Sequence, residues 1–563
     1  MTAPDQRNVR RWLTELAAGN RRWIQGAVLT GTLAGIATIV QMVLLARIIH
    51  LGVLEGVPAS QLTGLFVALV FTLIVRAVFQ GLQTRLAAQC SKRIRRSARR
   101  QIHRRWQASG PVAMGRESPG ALAREWIDHV EALHGYYARF LPQMQLSVIV
   151  PLLILGLVFW VDWLAATFLL LSAPLIPLFM ALVGMGAEKL NQQHFKSISR
   201  LSGQFLDKVR GLTTLQLFGQ TEPAANLIAR RSDQYRVVTM KTLKVAFLSS
   251  AVLEFFASVA IAVIAIYVGF GLLGYISFGP ADELTLFSGL LILLLAPEFF
   301  QPLRTLSQFY HDRAAALGAG AEILARLHQG VEGPPPRKSV QSAPAAKGYE
   351  HVVTIDNVTL THPGDQLPWF RNLNLTIEKG QAVALTGPSG GGKSSLLYLL
   401  AGFLAPDSGE IRVFGQAPGK AGFGWLGQKG FLVHGSWADN LRLTSPDASD
   451  IAIDTALRRV GLGDLVNGRK DGIYSEVSDQ GRGLSGGEAR RLSLARIFVA
   501  DYDLILLDEP TAGLDSASEI FILESLRKLS QSGKTLIFST HHHALLALAD
   551  RVLTVDNGEV ADA

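Results

Sequence analysis

The chain has 563 residues, 49% of them hydrophobic and only 18% charged, with a mean hydropathy of +0.26. Soluble globular proteins carry about a quarter charged residues, so a purely soluble protein is excluded, and the length exceeds one ordinary core, so at least two domains are expected. The net charge of +9 would suit a nucleic-acid binder, but the basic residues are placed otherwise, as follows, and no nucleic acid is expected as a partner.

The N-terminus carries Arg7, Arg10, Arg11, Arg21 and Arg22 without a cleavage-type small-residue site, so no signal peptide is expected. Val9, Trp12, Leu13 and Leu16 recur at helical spacing and predict a short amphipathic helix on the inner membrane surface. A bilayer core needs about 20 apolar residues as a helix, and six stretches qualify: 24–49, 61–83, 142–161, 163–187, 245–273 and 284–304. The third and fourth meet in a tight hairpin around Asp162 and Trp163. The loops at 50–60, 162–163 and 274–283 hold no Lys or Arg, whereas 84–140 and 188–244 are rich in both. The positive-inside rule therefore puts the basic loops, the N-terminus and the C-terminal domain in the cytoplasm of a multi-pass inner-membrane protein. The basic loops keep helical spacing, as in Ile127, Val130, Leu133, Tyr137 and Phe140, and read as extensions of the spans, broken near 115–120 and 218–223 into short cross-helices able to touch a cytosolic domain. Cys90, the one cysteine, allows no intrachain disulfide.

Residues 330–349 are rich in Pro, Ser, Ala and Gly and mark a linker. The chain is thus expected to hold a membrane domain at 1–329 and an α/β domain at 350–563, where short apolar runs alternate with helical ones. Within that domain the run Gly387, Pro388, Ser389, Gly390, Gly391, Gly392, Lys393, Ser394 follows a strand-like stretch and opens, through Ser395, a helix. The strand, glycine loop and helix form a phosphate cradle: backbone N–H groups face the phosphates, Lys393 adds charge, and Ser394 offers a hydroxyl to Mg²⁺. The apolar run 504–507 ends in Asp508, placed to hold Mg²⁺, and Glu509, placed to polarise an attacking water. ATP and Mg²⁺ are the expected cofactors.

Between these motifs stands Leu484-Ser-Gly-Gly-Glu488, which resembles the signature of the ABC transporter superfamily. The resemblance implies that Ser485, Gly486 and Gly487 bind the γ-phosphate of ATP held by an opposite domain. It further implies Q-loop Gln428 as a ligand of Mg²⁺ beside Ser394 and Asp508, Asp515 in the D-loop, and His541 as the switch histidine. His541, His542 and His543 are consecutive, which could suggest a metal site; the position after a strand favours the switch role for His541. At the adenine-stacking position the family carries an aromatic, and here stands His362. The fold implied is an all-α six-helix transmembrane domain (type I ABC exporter, or type IV fold) followed by an α/β P-loop NTPase domain, working as half of a dimer.

The runs at 136–144, 173–187, 246–256 and 296–311 are similar to the CydD family, whose members pair with CydC in heterodimeric exporters needed for cytochrome bd assembly. This likeness implies a CydC-like partner and, as cargo, cysteine or glutathione, or else haem. A lipid or multidrug exporter of the same architecture is the alternative. Two polar stripes bear on the choice: Thr72, Arg76, Gln80 and Gln83 in the second span, and Glu298, Gln301, Thr305, Gln308 and Asp312 in the sixth, each on one helix face. Charges inside a span usually face a cavity or a partner. Arg76 and Glu298, with Tyr310 and His311 near the inner end, are therefore candidates to border a cargo cavity, Arg76 for a carboxylate and Tyr310 or His311 for haem iron. An Arg–Glu pair that only holds helices together, or an Arg76 that snorkels to the interface, is the competing reading. Glu254 in the fifth span is a further candidate.

Overall fold

The computed structural model describes residues 6–115, 117–174, 205, 208–209, 211–276, 278–328, 351–361, 368–428, 430–478 and 483–563. The linker 330–349, the far part of the fourth expected span and His362 lie outside the described residues. Two compact units are formed, Met1–His103 with Pro119–Gln329, and Arg104–Ser118 with Gly330–Ala563. The stretch Arg104–Ser118, expected in the membrane domain, thus groups with the second unit. A break in the helix falls within this stretch: Gly110 takes φ 73° and is followed by Pro111, a pair that interrupts the helical hydrogen-bond ladder.

The first unit is helical: α1 (Gln6–Ala18), α2 (Arg21–Val53), α3 (Thr63–Gly115), α4 (Pro119–Val161), α5 (Trp163–Ser172), α6 (Thr221–Leu272) and α7 (Leu286–His328). Among the described residues five helical stretches are long and apolar enough to cross a membrane; α5 is the described start of the fourth expected span. Met42, Ile154, Leu169, Ile264, Leu295, Phe299 and Phe300 knit α2, α4, α5, α6 and α7 into one core. Large apolar side chains of α3, among them Phe66, Val67, Phe71 and Ile74, stay exposed, as suits a lipid-facing helix whose neighbours need not exclude water. α3 ends at Gly115 and α4 begins at Pro119, and Gly219, at φ 64°, separates the short helix Leu212–Leu217 from α6.

The hairpin between α4 and α5 rests on Asp162, which is 1% exposed. Its backbone is extended, and its Oδ1 accepts from the N–H groups of Leu164 (2.9 Å) and Ala165 (2.8 Å), while Tyr267 on α6 donates its hydroxyl to Oδ2 at 2.8 Å. The carboxylate thus caps α5 and satisfies the first N–H groups of that helix together with the Tyr267 hydroxyl. The N-terminal helix corrects an expectation. Val9, Trp12, Leu13 and Leu16 are all buried in protein rather than turned to a membrane surface. Val9, Trp12 and Leu13 face Gly320 of α7, where a Cβ would stand 3.1 Å from Val9; Trp12 Nε1 donates to Gln101 Oε1 at 3.2 Å, and Tyr137 Oη donates to the Leu13 carbonyl at 2.7 Å. The amphipathic stripe is present, but its apolar face is covered by protein, α7 among it, and not by lipid.

The second unit holds β1 (His351–Leu360), β2 (Phe370–Glu378), β3 (Ala382–Thr386), α8 (Lys393–Leu400), β4 (Ser408–Val413), β5 (Gly424–Leu426), α9 (Gly486–Ala500), β6 (Leu504–Asp508), α10 (Ser516–Gln531), β7 (Thr535–Ser539), β8 (Arg551–Asp556) and β9 (Glu559–Asp562). An antiparallel sheet has the order β2-β1-β4, and a six-stranded sheet the order β9-β8-β3-β7-β6-β5, parallel except for the β9 edge. β6 and β7 are buried throughout, which explains their unbroken apolar runs: a parallel strand covered on both faces has no polar side. Helices Trp437–Arg442, Asp450–Arg459 and Gly463–Asn467 gather with α9 around Trp437, Leu457 and Leu492.

Candidate active site and membrane cavity

The parallel strands bring their C-terminal ends to one edge of the sheet, the place where open α/β sheets bind ligands. β3 delivers the glycine loop there. Gly387 (φ 127°), Gly390 (φ 85°) and Gly392 (φ 110°) hold backbone conformations that favour glycine, and a Cβ on Gly387 or Gly391 would lie 2.1 Å or 2.6 Å from the Val555 carbonyl of β8. The glycines thus let the loop pack closely on β8 while it opens at the N-terminus of α8, where N–H groups are free for an anion. Lys393 is 7% exposed, and its Nζ donates to the carbonyls of Gly387 (2.8 Å) and Pro388 (2.9 Å), turned onto the loop that it would leave to meet phosphate. Burial pulls its ammonium below the usual range, against the raising effect of Glu509 and Asp508.

β6 ends at Asp508 beside this loop. Ser394 Oγ donates to Asp508 Oδ1 at 3.1 Å, and Ser539 Oγ, from the end of β7, donates to the same oxygen at 2.7 Å. A hydroxyl and a carboxylate at hydrogen-bond distance are the hard oxygen donors that Mg²⁺ takes, so the residues fit the metal that the family uses. When bound, Mg²⁺ neutralises phosphate charge. Glu509 stands between Gln428, whose Nε2 donates to Oε2 at 3.1 Å, and His541, whose Nε2 lies 3.9 Å from Oε1. Its carboxylate is thereby held with His541 and Gln428 on either side, at the place the sequence expects for the group that polarises an attacking water. The histidine run is divided: His542 Nδ1 faces Glu519 Oε1 at 3.3 Å, away from His541's partner. Among the described residues no group of three His, Cys, Asp or Glu side chains is arranged for a metal.

The signature opens α9. Ser485 caps the helix, accepting from Glu488 N at 3.2 Å, while its own N–H donates to Glu488 Oε2 at 2.8 Å. Ser485 and Gly486 are exposed; Gly487 is buried, and a Cβ there would stand 2.1 Å from Ser518 Oγ. Asp515 caps α10 through the Ser518 N–H at 3.2 Å, and the Ser518 hydroxyl and N–H hold its carboxyl below the usual range. Signature and D-loop are therefore in close packing within one chain. The sequence reading missed two residues of this site. Ser539 ties Asp508 to Glu509, whose N–H it accepts at 2.8 Å, and its signal was its place directly before Thr540 and His541. Arg490 lies buried behind Glu509; its signal was an arginine just inside the signature helix.

In the first unit, α2, α3, α4 and α7 line an open cavity of about 160 Å³. Both polar stripes meet there: Arg76, Gln80 and Gln83 from α3, and Glu298, Gln301 and Thr305 from α7. α2 and α4 close its wall because Gly31 and Gly35 carry no Cβ, which would come within 2.6 Å of Leu146 and 2.9 Å of Val150. Arg76 Nη1 donates to Gln41 Oε1 at 3.2 Å; among the described residues no ion pair joins it to Glu298. The Arg–Glu helix clamp is thus not formed. Tyr310 and His311 do not line this cavity: Tyr310 Oη accepts from Arg313 at 2.8 Å, and His311 is exposed. Asp312 is paired with Arg139 at 3.0 Å, and Glu254 with Arg304 at 3.2 Å.

An interlocked glycine loop, acid pair, glutamine and switch histidine, with a signature helix and a helical membrane unit, define an ABC-type ATPase coupled to transport. The family comparison agrees on both halves, matching the ABC transporter transmembrane region over residues 26–295 and the ABC transporter ATPase over 370–512. The Escherichia coli (strain K12) glutathione/L-cysteine transport system ATP-binding/permease protein CydD is 38% identical over 100% of this chain and 96% of its own length. The Bacillus subtilis (strain 168) protein CydC of the same system is 32% identical over 80% of this chain and 78% of its own. The chain belongs to the CydD family of ABC transporters. A bacterial Atm1-family ABC exporter with ATP bound has the same fold, with a TM-score of 0.79 at 22% identity, over 96% of this chain and 94% of that one.

Proposed function

We propose that this chain is one half of a heterodimeric exporter, paired with a CydC-like half-transporter, that moves a low-molecular-weight thiol, cysteine or glutathione, across the bacterial inner membrane and thereby serves cytochrome bd assembly. The observation that carries the cargo reading is the cavity where Arg76 and Glu298 face common space without pairing. Cysteine and glutathione each present a carboxylate for the guanidinium and an ammonium for the carboxylate, and the surrounding glutamine amides suit peptide groups. The relatives' transport of the same compounds supports this. Tyr310 and His311, the candidate haem ligands, do not line this cavity, which favours the thiol over haem. Orientation follows the basic loops, with the N-terminus and the ATPase domain in the cytoplasm.

The test is ATP hydrolysis by the chain co-purified with its partner subunit, titrated separately with cysteine, glutathione, haem, and a lipid or apolar drug. Cysteine or glutathione should raise the rate, and Arg76→Ala should reduce that increment about tenfold or more, the scale of a lost charged hydrogen bond of about 1.5–3 kcal/mol. Stimulation by haem alone or by the apolar compounds alone, or an increment untouched by Arg76→Ala, would overturn the reading.

A further inference from the structure

Glu509 has a backbone conformation that non-glycine residues avoid, φ 47°. A catalytic carboxylate on such a backbone keeps its aim only if the surroundings hold the main chain there. Ser539 holds the N–H side. The carbonyl side is held by Arg490, five residues into the signature segment that Ser485 begins.

The Arg490 side chain is buried, 6% exposed. Its Nε donates to the Pro510 carbonyl at 2.6 Å, and its Nη2 donates to the Asp508 carbonyl at 3.1 Å and to that of Glu509. Its Nη1 donates to the carbonyl of Gln428. One planar fork therefore grips the main chain on both sides of Glu509 and, at the same time, that of the glutamine whose amide meets the Glu509 carboxylate at 3.1 Å. The neighbouring Arg491 points elsewhere, donating to the Gly461 carbonyl at 2.9 Å and lying over the Phe521 ring at 4.9 Å.

We propose that Arg490 is a positioning residue for ATP hydrolysis: from the signature helix it sets the register between Gln428 and Glu509 that aligns the attacking water. Its guanidinium is engaged by main-chain carbonyls. Its leverage comes from geometry, because a rigid guanidinium spans several carbonyls in fixed directions, which a lysine ammonium does not. Since the same helix carries Ser485 and Gly486 at its exposed end, a displacement of α9 shifts Glu509 and Gln428 together. The inference rests on the ATPase site and is independent of the cargo reading.

The experiment compares wild type, Arg490→Lys and Arg490→Met in the full-length chain with its partner subunit. It reads kcat, KM for ATP, the Mg²⁺ concentration for half-maximal rate, binding of a fluorescent ATP analogue, and thermal unfolding. Arg490→Lys keeps the charge and most of the packing, so it reports on the fork even where Arg490→Met fails to fold. The expected result is a kcat lower by about 30-fold or more, short of the full range of about 10²–10⁴ that a general base contributes because Glu509 is misplaced rather than removed. Analogue binding should change less than about threefold, because the Lys393 loop is untouched, and the Mg²⁺ requirement should rise as Gln428 loses its register. A kcat within about twofold of wild type in Arg490→Lys would overturn the proposal, as would a parallel fall of kcat, analogue affinity and melting temperature, which marks a purely structural residue.

Discussion

At the ATP site Gln428, Ser539 and Arg490 come from separate strand ends and a helix, and each is hydrogen-bonded to Glu509. In the membrane cavity Arg76 reaches only Gln41, and among the described residues no hydrogen bond or ion pair engages Glu298. Both places set polar groups among apolar neighbours, yet one is interlocked and the other left partly unmatched. The difference fits the tasks proposed for them. A hydrolytic site gains when its groups are held before the substrate arrives. A carrier site must take cargo in one state and release it in another, so part of its hydrogen-bonding capacity stays available for the cargo.

The sharpest way to test the interlocked side is Glu509→Gln. The amide cannot take the proton from water, while the glycine loop and Lys393 are unchanged. Steady-state hydrolysis should fall by about 10²–10⁴ with ATP affinity retained, read as a long-lived ATP-bound state in a single-turnover assay. Hydrolysis at the wild-type rate would mean that the base lies elsewhere and that the contrast drawn here has the wrong centre.

Legibility in the sequence followed the same division. Gly387 to Ser394, Asp508, Glu509 and His541 could be placed because their chemistry demands fixed spacing on a strand, a loop and a helix start. Ser539 and Arg490 could not: they act through hydrogen bonds to main-chain atoms far away in sequence, which leave no spacing signature. In the membrane unit, helical periodicity brought Arg76 and Glu298 to one cavity, since a stripe on one face converts directly into shared space. Periodicity also found the apolar face of α1, but it does not say what covers that face, and Gly320 of α7 supplied an answer other than lipid. Tyr310 and His311 lie beyond the stripe's reach because Arg313 and solvent engage them instead.

Asp162 offers an internal control for the membrane side, a buried carboxylate whose partners are all present. Replacing it with Ala strands the Tyr267 hydroxyl and uncaps α5, a loss of about 2 kcal/mol or more, visible as a lower unfolding temperature in detergent. Tyr267→Phe removes one hydrogen bond and should cost about 1 kcal/mol. If the comparison is right, Asp162→Ala weakens the fold while the surviving protein keeps its cargo response, and Arg76→Ala does the reverse. Equal loss of cargo response in both would erase the distinction between a structural acid and a cargo-facing charge.

Cys90 gives the smallest effect and a sign that can be worked out. It is fully buried on α3, and burial pushes its thiol up to about 11. Burial disfavours the thiolate, so the thiolate fraction rises only as pH approaches that value; at pH 8 it is about a thousandth, against roughly a quarter for an exposed cysteine of pKa about 8.5. Maleimide should therefore label the folded protein at pH 8 at least about a hundredfold more slowly than the protein unfolded in denaturant. Fast labelling in the native state would mean that the α3 extension opens around Cys90 far more often than a closed helical core allows. That would place mobility in the helix that carries Arg76.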